Sequence, residues 1–348
     1  MRAGALAALL LLPAALAAQN ADLHVMPIRG NVFMVVGAGS NVTVSAGVDG
    51  VLVVDAGTAA MADKTLAVIN EIDRATSEPG RLMTCVGPAC YQPGSLGPFT
   101  PFGWAGPSYN AVIASPKPPK PIRWILQTTV DPEHTGGTAK LALAGKTYNG
   151  GEAGRLVGDV TPATVIGHEN ILKRMTRSKF PEASWPSETY YIPTYKMSQY
   201  INGEGVQMYY APAAIDDTDS IVYFRYSDVI SAGDIYTPGR YPMIDTAKGG
   251  TVQGEIDALN KIIDIAFPEY RHQGGTMIVP GHGRLGDTAD VAIYRNMIVV
   301  IRDRILDLKK QGMTLQQVNA AKVTLDYDGI YGTPDKFIEA VYQTLDAK

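Results

Sequence analysis

The sequence predicts an α/β protein of layered sheets and helices, on three observations. Short Val-rich segments separated by turn residues lead into an amphipathic helical pattern, further short apolar runs recur down the chain, and three of these runs end in polar residues where a loop begins. Composition agrees with this. The 348 residues are 46% hydrophobic and 18% charged, which suits one large core and argues against a disordered chain. The formal net charge is only -4 and the Lys and Arg residues are scattered, so no nucleic-acid partner is expected.

The chain opens with one basic residue, an apolar run broken by Pro13, and small residues ending in Ala15-Leu16-Ala17-Ala18, the pattern of an export signal over residues 1–18. The alternative, a membrane anchor, falls short of the ~20 residues a span needs. Residues 19–348 are then expected as a single exported domain, periplasmic or extracellular, outside the membrane once the signal is removed. Cys85 and Cys90, the only cysteines, stand in Cys-Val-Gly-Pro-Ala-Cys. The Gly87-Pro88 turn and an oxidising compartment point to a local disulfide, while a metal-binding thiol pair lacks further Cys or nearby His.

Alternation predicts strands over residues 24–28, 32–36, 41–46 and 50–55, with turns at Arg29-Gly30-Asn31, Gly37-Ala38-Gly39 and Asp49-Gly50. Leu66, Ile69 and Ile72, spaced by three between charged residues, predict a helix over 61–75. Nine prolines then deny regular structure to residues 81–121, which read as an inserted loop. An apolar run over 122–129 reads as a buried strand, with a helix beginning near Thr135 and Gly136. The stretch 176–212 holds Trp185, Tyr190, Tyr191, Tyr195, Tyr200, Tyr209 and Tyr210, with an Asn202-Gly203 turn joining two strands. Its aromatics, Trp185, Tyr190 and Tyr195 among them, read either as a substrate wall or as a half-exposed hairpin packed on the core. Strands over 221–226 and 229–232 precede Gly233-Asp234, and one over 276–279 runs into Pro280-Gly281-His282-Gly283. Residues 287–348 are helical: Val291, Tyr294, Ile298, Ile301, Ile305 and Leu308 step by three and four to a stop at Gly312. Thr314 with Gln317 reads as a capping box for the next helix, and Thr333-Pro334 as the start of the last.

Polar residues at strand ends are the candidates for chemistry: Asp131, Glu133 and His134 after the first of these strands, Asp234 after the second, His282 after the third. In layered α/β proteins, loops converge at strand ends. The order Gly50-Val-Leu-Val-Val-Asp55-Ala-Gly57, Thr129-Val-Asp131-Pro-Glu133-His134-Thr-Gly136-Gly137, Gly233-Asp234 and Pro280-Gly281-His282-Gly283 resembles the metallo-β-lactamase superfamily over nearly all of residues 19–348. The resemblance implies a four-layer αββα sandwich with a metal site at one edge. That family's signature is His-x-His-x-Asp-His. Here its first two histidines fall on Thr129 and Asp131, its aspartate on Glu133 and its last histidine on His134, and a further ligand histidine falls near Ile215 and Asp216, where none stands.

By resemblance, then, one metal position is dismantled. The other keeps Glu133, His134, Asp234 and His282, with Asp131 and Asp216 able to enlarge the oxygen set. Two imidazoles and two or three carboxylates suit one divalent ion, zinc first, with manganese or iron as further options. Asp55 resembles the family's buried aspartate that orients loops, His168 a histidine outside the ligand set, and Thr129 a residue beside it. His24 and His272 match no family ligand.

Three functions are consistent with these residues. The first is metal-dependent hydrolysis of an ester, amide or lactone-type bond in a small-molecule substrate, with Asp131 or Glu133 holding or deprotonating the water. The second is an exported binding protein without catalysis or metal. The third is metal-free acid–base chemistry by Asp131, Glu133 and Asp234.

Overall fold

The computed structural model describes residues 23–77, 120–148, 160–267 and 274–345. The expected export signal over residues 1–18, the Cys85–Cys90 disulfide, nearly all of the Pro-rich stretch and His272 lie outside the described residues.

The first sheet starts as an antiparallel meander: β1 (His24–Arg29), β2 (Val32–Ala38), β3 (Ser40–Gly47) and β4 (Gly50–Val54). Helix α1 (Ala62–Ser77) follows, and β5 (Ile122–Leu126) then pairs parallel with β4. The chain continues through α2 (Pro132–Thr135), α3 (Thr138–Ala144) and the small β6 (Thr147–Tyr148) and β7 (Val160–Thr161) pair. β8 (Thr164–His168), α4 (Glu169–Met175) and β9 (Glu188–Tyr190) complete it, giving the order β1-β2-β3-β4-β5-β8-β9. The second sheet is β10 (Thr194–Lys196), β11 (Val206–Tyr210), β12 (Ser220–Phe224), β13 (Val229–Ser231), β14 (Met277–Val279) and β15 (Gly286–Asp287), in that order. Only β13 and β14 run parallel in it, and α5 (Val252–Ile265) makes the crossover between them. The chain ends in α6 (Thr288–Lys310), α7 (Leu315–Ala320), α8 (Leu325–Tyr331) and α9 (Asp335–Thr344).

The period-two alternation of the strands accounts for the layers. Val32, Met34, Leu52, Val54 and Leu126 point inward, where they meet Met208, Val222, Phe224 and Val279 of the second sheet. Their neighbours Phe33, Val35, Val51, Val53 and Ile125 point the other way and pack with Ile69 and Ile72 of α1 and Leu141 of α3. On the far side Ile221, Tyr223, Ile230 and Ile278 are covered by Ile256, Leu259 and Ile262 of α5 and by Val291, Ile298 and Ile301 of α6. Helix, sheet, sheet and helix therefore stack in four layers, as the resemblance implies, and β3 and β4 are buried along their whole length.

Three features differ from the sequence expectations. The strand over 122–129 stops at Leu126, because Thr128 and Thr129 turn off the sheet to bond Asp55 and Thr218. The helix expected near Thr135 divides into α2 and α3, with Gly137 between them packed so closely that a side chain there would lie 2.3 Å from the Ala56 carbonyl. Helix α5 was not expected at all. Gly254 is needed within it, since a Cβ there would meet the Ala213 carbonyl at 1.9 Å. The Thr251 hydroxyl caps this helix by accepting from the Gly254 N–H. At Asn202-Gly203 both residues take positive φ, 53° and 81°, in the tight turn between β10 and β11 that the pair predicts.

Glu255 of α5 is fully buried, and neither of its carboxyl oxygens has a hydrogen-bond partner among the described residues. Burial, reinforced by the charges of Asp219 and Asp234, pushes its pKa well above the ordinary glutamate value. The folded state thus holds a proton that the unfolded chain releases. The carboxyl's contribution is complete below the ordinary glutamate pKa and is lost as pH rises through the raised one. Glu255→Gln is expected to flatten the fall of stability with pH above about pH 5 by up to about 1.4 kcal/mol per pH unit, the slope for one proton. Urea midpoints across that range read it, and a slope identical to the wild type would show Glu255 already ionised in the fold.

Candidate metal centre

The centre is built from the end of β4 outward. Asp55 follows the strand with φ at 61°, a left-handed conformation that aspartate tolerates better than most residues. From there its carboxylate accepts from the Thr128 N–H at 2.9 Å and from the Thr128 hydroxyl at 2.7 Å, and it lies 2.7 Å from His134 Nδ1. A carboxylate only accepts, so Nδ1 of His134 carries a proton and its Nε2 is aimed away, into the space between the sheets' loops.

His134 reaches Asp55 because Asp131 caps the short α2, its Oδ1 accepting from the Glu133 N–H at 2.7 Å, with Pro132 at the first helical position. His134 is fully buried, and its Nε2 lies 3.1 Å from Asp234 Oδ1. Asp234 sits in the single 3-10 turn Gly233–Ile235 that follows β13. Gly281 makes room for it, since a Cβ at that position would lie 2.2 Å from Asp234 Oδ1. His282 comes next in the same loop, its Nε2 3.5 Å from Asp234 Oδ1 and 3.3 Å from Glu133 Oε2, with its ring edge-on to that of His134.

One ligand atom each from His134, Asp234 and His282 lie within 4.8 Å of one another, a convergence of three metal-binding groups among the described residues. The donors fit a divalent ion. His134 Nε2 and Asp234 Oδ1 are both buried, and at 3.1 Å neither makes a properly aligned hydrogen bond among the described residues, so two orphaned donor atoms face one point. Burial works against the charged form of His134, but Asp234 and Asp55 hold its pKa well above the ordinary imidazole value. Burial likewise works against Asp234, and His134 with His282 and Arg240 brings its pKa below the usual carboxylate range. His282 is shifted the other way, downward, by burial first and by the charges of Arg240 and His134 after it, which favours the neutral imidazole a metal requires.

Of the remaining expected ligands, Glu133 stands at the mouth with its side chain 59% exposed, touching His282 but outside the convergent three. Asp131 lies outside that cluster as well, and its Oδ1 accepts from the Glu133 N–H at the start of α2. Asp216 bonds back to Thr218 N–H and to its hydroxyl, closing its own turn instead of enlarging the oxygen set. Thr129 is buried, its hydroxyl 3.4 Å from that of Thr218. His168 caps α4, accepting at Nδ1 from the Asn170 N–H, and stacks on Tyr210 at 3.7 Å between ring centres; burial lowers its pKa.

The expected substrate wall divides. Tyr190 is 3% exposed, belongs to the core between the sheets and bonds Ser220 through its hydroxyl, so it takes the core reading. Tyr195 stacks against it, and Trp185 packs on Val130, Ile171 and Met175. Asn41 is the positioning residue the sequence reading passed over: its side-chain amide donates to the carbonyls of Pro280 and Gly283, and its N–H to that of Gly281, so it holds the His282 loop from both sides. An Asn after Gly39-Ser40 at the start of a strand was the available signal, but it reads equally as a turn.

In Asp55→Asn the amide presents a donor where His134 Nδ1 also donates. Relief requires the other tautomer, which places a proton on Nε2 and removes the lone pair a metal would use. Zinc affinity by equilibrium dialysis is expected to fall by roughly 10- to 100-fold, with the fold retained by circular dichroism. Wild-type affinity in this variant would show that Asp55 does not set the tautomer.

No protein-family model matches the chain, and no curated protein does. Among solved structures it is similar to the stereoselective inverting sec-alkylsulfatase Pisa1 from Pseudomonas sp., with TM-score 0.60 and 13% identity over 92% of this chain and 50% of that one. A double mutant of the same sulfatase gives TM-score 0.59 at the same identity. The DIM-1 metallo-β-lactamase gives a looser likeness, TM-score 0.49 and 10% identity over 80% of this chain and 98% of that one. The chain spans about half the length of the sulfatase it matches.

Proposed function

This chain has the metallo-β-lactamase fold, and on that premise we propose that it is a mononuclear metal-dependent hydrolase of an ester, amide or lactone-type bond in a small molecule. The observation that carries the reading is the convergence of His134, Asp234 and His282, with the tautomer of His134 set by Asp55. These three residues would hold the ion, zinc first and manganese or iron as alternatives. Bound there, it would polarise the oxygen of the scissile bond and make water more acidic.

The chain's own residues do the rest. Asp55 and Asp131 fix the position of His134, one through its ring and the other through its helix. Asn41 fixes the loop of His282. Glu133, exposed at the mouth with its carboxylate beside His282, is placed to accept the proton of the attacking water. The likeness to a sec-alkylsulfatase adds sulfate esters to the ester class considered. The export signal over residues 1–18 belongs to the same proposal and would put the activity in the periplasm or outside the cell; no described helix is long and apolar enough to cross a membrane.

One observation favours a second reading, a binding protein without catalysis. With a proton on each ring nitrogen, His134 lies between Asp55 and Asp234 as a buried ionic row that holds together without any metal.

Metal analysis of protein purified without chelators separates the two. The hydrolase reading expects about one equivalent of zinc, lost in Asp234→Ala and His282→Ala, and turnover of p-nitrophenyl esters reduced roughly 100-fold or more by either substitution. A metal-free protein that gains no ester turnover on adding zinc, manganese or iron would leave the binding protein standing.

A further inference from the structure

Two loops from different sheets meet at the mouth of the centre. Glu133 Oε2 lies 3.3 Å from His282 Nε2, although α2 follows β5 of the first sheet and the His282 loop follows β14 of the second. The Glu133 side chain is largely exposed, so its carboxylate is only as well placed as the backbone that carries it. Helix α2 is too short to hold that backbone by itself. In a continuing helix the Glu133 carbonyl would accept from the Gly137 N–H four residues on, but that N–H donates to the Gly57 carbonyl instead, at 2.8 Å. The hydroxyl of Ser40 takes its place, donating to the Glu133 carbonyl at 3.0 Å.

Ser40 is itself rigidly mounted. It is buried at the start of β3 and pairs with Ala38 across a single residue, Gly39, at φ 107°. The Ala38 carbonyl accepts from both the N–H and the hydroxyl of Thr58, and a Cβ on Gly39 would lie 2.4 Å from Thr58 Cγ2, so this turn is closed against the loop after β4. The next residue, Asn41, holds the other loop: its N–H donates to the Gly281 carbonyl at 2.8 Å and its side-chain amide to the Pro280 and Gly283 carbonyls at 3.0 Å each. Successive side chains of a strand point to opposite faces, which lets two neighbours reach different loops.

His134, next to Glu133 in α2, does not depend on Ser40 in the same way. Asp55 holds its ring at 2.7 Å, and its carbonyl accepts from the Ala56 N–H at 2.7 Å. Loss of the Ser40 hydroxyl therefore frees Glu133 and leaves the metal-binding ring beside it in place.

We propose that Ser40 is the positioning residue of Glu133, and that the dipeptide Ser40-Asn41 sets the spacing between the proton-accepting carboxylate and the loop of His282. The catalytic consequence rests on the hydrolase reading; the hold on the Glu133 backbone does not. Ser40 acts on the chemical step through Glu133, whereas Asn41 acts on metal retention through His282.

The test uses the full chain as wild type, Ser40→Ala, Asn41→Ala, Glu133→Gln and the double variant Ser40→Ala with Glu133→Gln. Zinc affinity is read by equilibrium dialysis, and kcat and KM on p-nitrophenyl acetate with zinc-loaded protein. Ser40→Ala is expected to lower kcat roughly 10-fold with KM and zinc affinity unchanged, and to lower it no further once Glu133 is Gln, because the two act as a unit. Asn41→Ala is expected to weaken zinc roughly 10-fold. A merely structural role for Ser40 would lower zinc affinity together with kcat, or lower kcat equally in both backgrounds. Either result, or wild-type kcat in Ser40→Ala, overturns the proposal even if the protein is an active hydrolase. Amide hydrogen exchange of the zinc-free chain reads the hold without any turnover: Ser40→Ala should speed exchange at Glu133 roughly 10-fold and not at Gly281, and Asn41→Ala the reverse. That pattern in a protein that hydrolyses no ester supports the hold and counts against the hydrolase reading, while unchanged exchange at Glu133 in Ser40→Ala overturns the proposal.

Discussion

Because a carboxylate can only accept hydrogen bonds, Asp55 dictates the chemistry of everything it touches. It takes two donors from Thr128, which turns the chain off the end of β5, and a third from His134, which fixes that ring's tautomer. Its left-handed backbone brings it there straight from β4, and Gly57 behind it is packed against Ala38 with no room for a side chain. The end of β4 and the stretch from Thr128 to His134, distant in sequence, are thereby locked together through one carboxylate. The orientation of His134, and with it the convergence on Asp234 and His282, follows from that lock. The second sheet contributes through its own constraints, with Gly281 leaving space for the Asp234 carboxylate and Asn41 reaching across from the first sheet to hold the His282 loop.

Much of the fold was legible because alternation and turn chemistry act locally. The meander from β1 to β4 falls within a residue or two of the expected strands, and the Thr314–Gln317 capping box forms as read. Helix α5 is absent from the sequence reading although Val252, Ile256, Leu259 and Ile262 step by three and four, and the Gly254 within it is fitted to the neighbouring chain of Ala213. The reason for that glycine is tertiary, and no local pattern contains it.

The site was legible as residue types and not as roles. His134, Asp234 and His282 stand at the ends of strands, but sheet order alone brings β13 beside β14 and both loops to α2. Asp131 and Glu133 looked equivalent in sequence. One closes a helix cap and the other faces solvent beside His282, a difference that Pro132 imposes by starting the helix between them. Tyr190 looked as suited to a pocket wall as to a core, and the register of β8 with β9 puts it between the sheets.

The central claim is that two imidazoles and a carboxylate from three separate loops bind one divalent ion. X-ray absorption at the zinc edge, on protein loaded with one equivalent, tests it most directly. The account predicts two imidazole ligands and at least one carboxylate oxygen at about 2.0–2.2 Å, with one imidazole lost in His282→Ala. A shell of oxygens without imidazole, or sulfur at about 2.3 Å from the cysteines, would contradict it.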